Sequence, residues 1–485
     1  MCGLSNLYTI SYLDAITIPC RFTRKKMRSR LAFVFSVLLV SPFGLSQSLL
    51  PPAPHRRVTT ISPPEVHANE PSIAVNPNNP SQVVAAFQPA SIAYSTDGAQ
   101  TFALADLPPI EGWRGGGDVS VAFDHKGNVY LSTLHFDKLG STSYWGHGAG
   151  RNGIFVRRSH DGGRTWDKDA VPVKAFDKAE GISQMEDMPR VFADAHADSP
   201  YAGNVYVGWI EWQIDKSIIL FARSTDGGKS FDTPKRISTH AGLPRDDNGG
   251  LVGFVGVVGA DGTIYAIWND GLTIAFTQSH DGGKTFAPSR SVIDVAPPYF
   301  GGAGGIPGVS RVMGFPQIGI GRRNGKRAEP LYLAWSDYSN GDVDVFCVSS
   351  VDGGRTWSKP VRVNNDPVHD GIDQFFQWMT VDPVTCDVYV QFYDRREDPG
   401  NRKTGFTLAR STDGGRSFVN YAWEENSFES HQPAFLGDYT WLTAYGHKVF
   451  GIWTETAAPA EPEQTTGHPA HPATVVRVGY ADFSD

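Results

Sequence analysis

Ser350-Val351-Asp352-Gly353-Gly354-Arg355-Thr356-Trp357 is one of six copies of a single pattern, Ser-x-Asp-Gly-(Gly/Ala)-x-(Ser/Thr)-(Phe/Trp). The copies begin at Ser95, Ser159, Ser224, Ser279, Ser350 and Ser411. The aspartate can accept hydrogen bonds from turn amides, and the glycines supply backbone angles that a side chain opposes, so each copy reads as a tight turn between antiparallel strands. The closing aromatic re-enters the sheet as a large apolar anchor. Consecutive copies start 55 to 71 residues apart, a spacing that suits a four-stranded sheet with its loops and is too long for a two-helix repeat. Radially arranged sheets are the natural all-β solution.

Aligning the chain on these turns exposes the rest of the unit. Asp118 to Phe123 and Asn128 to Leu131 alternate as two strands, and Ile154 to Arg158 forms a third leading into the turn at Ser159. The turn therefore joins strands three and four. After the sixth copy the strand pattern restarts without a turn motif, at Asp438 to Leu442, Lys448 to Trp453 and Val475 to Tyr480. This seventh unit lacks a fourth strand, which Arg57 to Ser62 can supply. The predicted fold is a seven-bladed β-propeller over residues 70–485, preceded by a segment, 47–69, that closes the ring; six blades with a modified end is the alternative.

The 485 residues include 52 Gly and 33 Pro, as many short strands with tight turns require, and no linker-like break separates the copies. Residues 1–46 differ in kind. Arg21, Arg24, Lys25, Lys26, Arg28 and Arg30 precede the apolar run Leu31 to Val40 and the small residues around Ser46, the pattern of a secretory signal, with Met27 as a second candidate start. The run is short for a bilayer span. Removing six bases and one acid takes the formal charge from -8 to -13, which argues against nucleic acid or anionic membrane as partners. A secreted or periplasmic monomer is expected. Cys347 and Cys386 remain, without zinc spacing, and read as free thiols.

In a propeller the starts of the innermost strands and the ends of the second strands share one rim, and the turn motifs occupy the other. Glu70, Asp118, Glu186, Asp187, Asp373 and Asp438 stand at first-strand starts. Glu211, Asp270, Asp337, Asp394 and Glu455 stand at second-strand ends, usually two residues after Trp or Phe. Strand-end carboxylates commonly bond loop amides; crowded at one mouth, they also suit acid–base work or Ca²⁺ binding. Arg114, Arg190, Arg311, Arg395 and Arg396 lie at the same rim, and their forked donors match the carboxylate of an acidic sugar.

The octapeptide resembles the Asp-box, or bacterial neuraminidase repeat, of the sialidase superfamily and related β-propellers. The resemblance implies that Asp118, in Gly117-Asp118-Val119-Ser120, is the general acid and base, and that Tyr439, in Gly437-Asp438-Tyr439-Thr440, is the nucleophile. Asp187 is the third catalytic candidate. Three features depart from that pattern: Asn69-Glu70-Pro71 replaces an Arg-Ile-Pro, Gly249-Gly250 stands where the Tyr-activating Glu belongs, and seven units exceed the usual six. The implied function is an exported sialidase-like glycoside hydrolase acting on a terminal acidic sugar of a carbohydrate or glycoconjugate. Arg114, Arg190, Glu211, Arg311, Asp373, Asp394, Arg395, Arg396 and Asp438 would bind the substrate. No cofactor is expected beyond Ca²⁺ at the acidic rim. The alternative is a non-catalytic propeller that binds glycan or protein.

Overall fold

Seven antiparallel sheets follow one another along the chain in the computed structural model, which describes residues 50–63, 66–137, 151–175, 184–244, 249–298, 305–322, 329–424, 426–429, 434–457 and 473–485. The secretory signal read at residues 1–46 lies outside them. Blade 1 runs outward from the centre as Asn69–Val75, Val83–Gln88, Ser91–Ser95 and Ala103–Ala105. The innermost strands of blades 2 to 7 are Arg114–Phe123, Gln184–Ala193, Leu251–Val258, Gln317–Ile320, Gln374–Val381 and Trp441–Tyr445. Blade 7 takes its outer strand from the other end of the chain. Arg57–Thr60 pairs antiparallel with Thr474–Asp482, from Arg57 opposite Tyr480 to Thr60 opposite Arg477, and closes the ring as the sequence predicts. Among the described residues there is no helix, and so none long and apolar enough to cross a membrane.

Each blade is covered on both faces by its neighbours, so its second strand is buried almost throughout rather than alternating. Val205–Gln213, Val-Tyr-Val-Gly-Trp-Ile-Glu-Trp-Gln, is buried along its length except at the last residue. Glycines admit the next blade's aromatics where two sheets meet: a Cβ on Gly208 would lie 2.1 Å from the Phe254 ring.

The six turn motifs are one hydrogen-bond network repeated. In every copy the buried serine donates to the aspartate at 2.7–2.9 Å and accepts the amide of the fifth residue at 2.8–2.9 Å. The Ser or Thr at position seven donates its hydroxyl to the other carboxylate oxygen at 2.6–2.7 Å. At Asp352 the Thr356 hydroxyl and amide hold the carboxyl down to about 2. Positions four and five are both left-handed, with φ of 73° and 80° at Gly353 and Gly354, and only the first copy carries a side chain there, at Ala99.

Residue pairing separates the two rims. Gln88 at the end of one strand faces Asn69 at the start of the innermost strand, whereas Ser95, where a turn motif begins, faces Val83 at the opposite end. Toward the Asn69 rim the innermost strands of blades 1, 2, 3, 4 and 6 each break register, and each break holds a left-handed residue: Glu70, Asp118, Met188, Gly253 and Phe376. A bulge of this kind re-aims a side chain out of the sheet's alternation. Neighbouring innermost strands are tied by side chains. Ser72 Oγ accepts the Val121 amide at 3.1 Å, Ser120 Oγ accepts the Val191 amide at 3.2 Å, and Thr440 Oγ1 donates to Phe376 O at 3.0 Å.

Candidate functional site

Two of the five left-handed positions are carboxylates, Glu70 at φ 48° and Asp118 at φ 48°. A non-glycine residue there costs on the order of 1–3 kcal/mol and persists only where its surroundings over-determine it. Around them the ring brings together Asp438 and Tyr439 from blade 7, Arg190 and Asp187 from blade 3, and Arg311 from the segment before blade 5. Gln88 donates to the Glu70 carboxyl, and both donors of the Arg311 fork, Nε and Nη2, are spent on the two oxygens of Asp438. Arg311 also lies 4.0 Å from Glu70 Oε1. The Tyr439 hydroxyl stands 3.5 Å from Asp118 Oδ1. Arg190 covers the Tyr439 ring at 3.7 Å and the Trp441 ring at 5.0 Å, while Trp441 stacks on Trp378 at 4.0 Å. Asp187 accepts from Trp212 Nε1 at 2.8 Å.

Glu70, Tyr439 and Arg190 are no more than 4 % exposed, and that burial sets the electrostatics. Desolvation, reinforced by Asp118 and Asp438, pushes the Glu70 carboxyl well above the ordinary 4.5, so the proton stays on. Burial raises Asp438 too, with Arg311 opposing it. Burial drives the Tyr439 phenol well above 10 despite Arg190, leaving it a neutral hydroxyl beside an acceptor. Arg190 Nη1 is buried without a hydrogen-bond partner.

Of the residues expected from sequence, Asp118, Asp187, Arg190, Arg311, Asp438 and Tyr439 meet at this centre. Six do not. Arg114 is exposed, four residues and two register breaks ahead of Asp118. Glu211 shares Lys174 with the buried Glu186, whose carboxyl burial pushes up to about 8. Asp373 is held by the Val343 amide and Asn401, and Asp394 by Arg396 and Thr407. Arg396 also reaches Asn420. Arg395, 2 % exposed, gives its donors to Thr404 Oγ1 and the carbonyls of Asn401 and Pro307. Asp373, Asp394, Arg395 and Arg396 are bonded to neighbouring loop groups. For Glu211 and Asp394 the reason is radial: strand two lies one strand spacing away from the axis, and both acids pair within or beside their own blade. The Trp-x-acid spacing is part of this. Trp335 Nε1 donates to Asp337 at 2.8 Å and Trp453 Nε1 to Glu455 at 2.7 Å, since residues i and i+2 share one face of a strand.

Gln88, Trp378 and Trp441 join the centre without having been expected there, and Glu70, expected only as one of the rim acids, is a member of it. A signal for Glu70 was present: Glu70-Pro71-Ser72 and Asp118-Val119-Ser120 are the same acid-x-Ser in successive blades, at equivalent bulges. Among the described residues, no group of three or more His, Cys, Asp or Glu is disposed to hold a metal ion. At the centre the acids are interleaved with Arg311, Arg190 and Gln88. Cys347 and Cys386 are free, the first buried.

No protein-family model and no curated protein matches the sequence. Solved structures similar to the chain include a Hadza microbial sialidase (13% identity, 83% of this chain and 73% of that one, TM-score 0.43). An α-L-arabinofuranosidase of Fusarium graminearum is similar at 13% identity, 79% and 97% coverage and TM-score 0.45. A Dyadobacter fermentans protein of unknown function is similar at 13% identity, 78% and 97% coverage and TM-score 0.44. These are likenesses of fold.

Proposed function

We propose that the channel mouth hydrolyses a terminal glycoside, with Glu70 as general acid, Tyr439 as nucleophile and Asp118 as the base that takes the phenolic proton. The observation that carries this reading is the neutral Tyr439 hydroxyl 3.5 Å from Asp118, beside a carboxyl that burial keeps protonated. Glu70 delivers its proton to the leaving oxygen as the glycosidic bond breaks. Tyr439 bonds to the anomeric carbon and its proton passes to Asp118. In the second half, Glu70, now a carboxylate, takes a proton from the water that displaces the phenol, and Asp118 returns the other to Tyr439. The pairing gives Asp118 the role of base and moves the acid to Glu70, the reverse of what the sialidase resemblance implies for Asp118. No cofactor enters this chemistry.

The sugar is neutral in this reading. Four acids, Glu70, Asp118, Asp187 and Asp438, face two guanidiniums, and the Arg311 fork already holds Asp438. A sugar carboxylate would have to displace Asp438 to use that fork and would add negative charge to an acid-rich site. Arg190 Nη1 instead offers a donor that a sugar hydroxyl satisfies. With the basic, apolar N-terminus read as a signal, the activity belongs outside the cytoplasm.

A panel of 4-methylumbelliferyl glycosides of neutral sugars, with the sialoside beside them, tests the assignment. At least one neutral glycoside is expected to be cleaved, with kcat/KM falling about 100-fold or more in Glu70→Gln, Tyr439→Phe and Asp118→Asn. Release from the sialoside alone would overturn the neutral sugar. No release from any member would favour the second reading, a propeller that binds glycan without turnover, which the burial of Glu70 and Tyr439 supports.

A further inference from the structure

The same rim carries a cleft of about 300 Å³ between blades 1 and 2, outside the acid cluster. Gln88, whose amide holds the Glu70 carboxyl, is followed by Pro89 in the cleft wall. Gly115 lines the opposite wall three residues before Asp118. Gly117 between them must lack a side chain, because a Cβ there would lie 2.2 Å from Gln88 Nε2. Both cleft walls thus continue along the chain into residues that hold or flank the acid cluster.

The larger share of its lining is apolar. Pro89, Pro108, Pro109, Leu107, Ile110 and Trp113 present C–H and ring surface, and Pro89 and Pro109 are exposed at its edge. Trp113 is fixed in place, edge-on to Phe155 at 5.0 Å and beneath the Arg151 guanidinium at 4.8 Å. Most polar side-chain atoms in the wall are already engaged. Thr133 Oγ1 and His135 Nε2 lie 2.8 Å apart and bond each other, while His135 Nδ1 is buried and has no hydrogen-bond partner. Arg157 donates to the carbonyls of Asp167, Lys168 and Pro108 at 2.5–2.7 Å. Burial and Arg157 push His135 down to about 4, so the ring is neutral near pH 7.

We propose that this cleft binds the leaving group of the glycoside, and that the leaving group is an aromatic or otherwise apolar aglycone rather than a second sugar; the role rests on the hydrolase reading above. A sugar in the cleft would lose water from several hydroxyls and find Thr133, His135 Nε2 and Arg157 already bonded, with only the buried His135 Nδ1 left over, a cost of about 1–3 kcal/mol for each unsatisfied group. An aryl ring loses nothing of the kind and gains contact with Trp113 and the prolines.

The test measures binding of 4-methylumbelliferone alone to the protein, followed by its fluorescence, together with kcat/KM for an aryl and a methyl glycoside of one sugar. Saturable binding is expected, weakened about tenfold in Trp113→Ala and in Ile110→Asp and unchanged in Glu70→Gln and Tyr439→Phe. The aryl-over-methyl preference should shrink by a similar factor in the two cleft variants. Thermal unfolding of each variant checks that it is folded. Absence of saturable binding, equal binding in both cleft variants, or binding lost with Glu70 or Tyr439 would overturn the cleft as the site. Binding that depends on Trp113 without any effect on the aryl preference would overturn its leaving-group role. If no glycoside in the panel is cleaved, the hydrolase reading and with it the leaving-group role fall, while the binding measurement still decides whether the cleft takes an apolar ring.

Discussion

A carboxyl group that folding makes harder to ionise ties stability to pH, and Glu70 is such a group. Its pKa lies well above 4.5 because it is buried beside Asp118 and Asp438. The folded state therefore keeps a proton that the unfolded chain releases once pH exceeds 4.5. The stabilisation is complete below that value and is lost as pH rises through the folded-state pKa. Replacing Glu70 with Gln should flatten this alkaline decline, measured as the unfolding midpoint against pH, and an unchanged slope would show that Glu70 is not the group responsible. The same proton should set the alkaline limb of kcat/KM in the wild type, since the acid must be loaded before the leaving group departs. Asp118 and Tyr439 are legible in the sequence because a local motif surrounds each. Glu70 reads there as a missing arginine, because only the bulge and the closure of the ring reveal that it shares a site with Asp118.

Within the turn motif the two glycines have different reasons for being glycine. Both are left-handed, but a Cβ on Gly353 would meet nothing within 4 Å, whereas one on Gly354 would lie 2.5 Å from the Phe276 ring of the preceding blade. Gly353→Ala should cost about 1 kcal/mol for conformation alone. Gly354→Ala should cost about 1–3 kcal/mol more, because the ring must move within a packed interface. Denaturant unfolding of the pair checks this, and equal losses would contradict the packing argument. In this copy position four makes the turn and position five seats it on the neighbouring blade; in the Ser279 copy both are seated, since a Cβ on Gly282 would lie 2.6 Å from the Tyr201 ring. Ala99, the one fifth position with a side chain, keeps φ at 61°. The motif's regular spacing makes the element readable from sequence, since serine, aspartate and hydroxyl at positions one, three and seven bond one another without help from elsewhere.

At the scale of the ring, closure depends on four residues from the start of the described chain. Arg57–Thr60 covers the edge of Thr474–Asp482, and the Arg57 guanidinium sits 4.6 Å over the Tyr480 ring. Deleting residues 50–62 should leave that edge unpaired, lower the unfolding midpoint by several degrees and promote association, because an open edge strand templates pairing with another chain. Calorimetry and size-exclusion chromatography would show it; an unchanged midpoint and a monomer would mean the ring closes without this strand.

The sequence by itself determined the propeller, the count of seven and the outer closing strand, because these follow from a repeated local turn and from alternation along single strands. The tertiary structure alone decided which rim acids belong together. Strand-end carboxylates look alike in sequence, but their partners separate them: those on second strands, with Glu186 and Asp373, are bonded by an indole, amide, lysine, arginine or histidine close to their own blade, while Glu70, Asp118 and Asp438 are brought from three blades into one desolvated centre. Closing the ring sets blade 7 beside blade 1, and so joins, at the central mouth, residues more than 300 positions apart, Asp118 and Tyr439 among them.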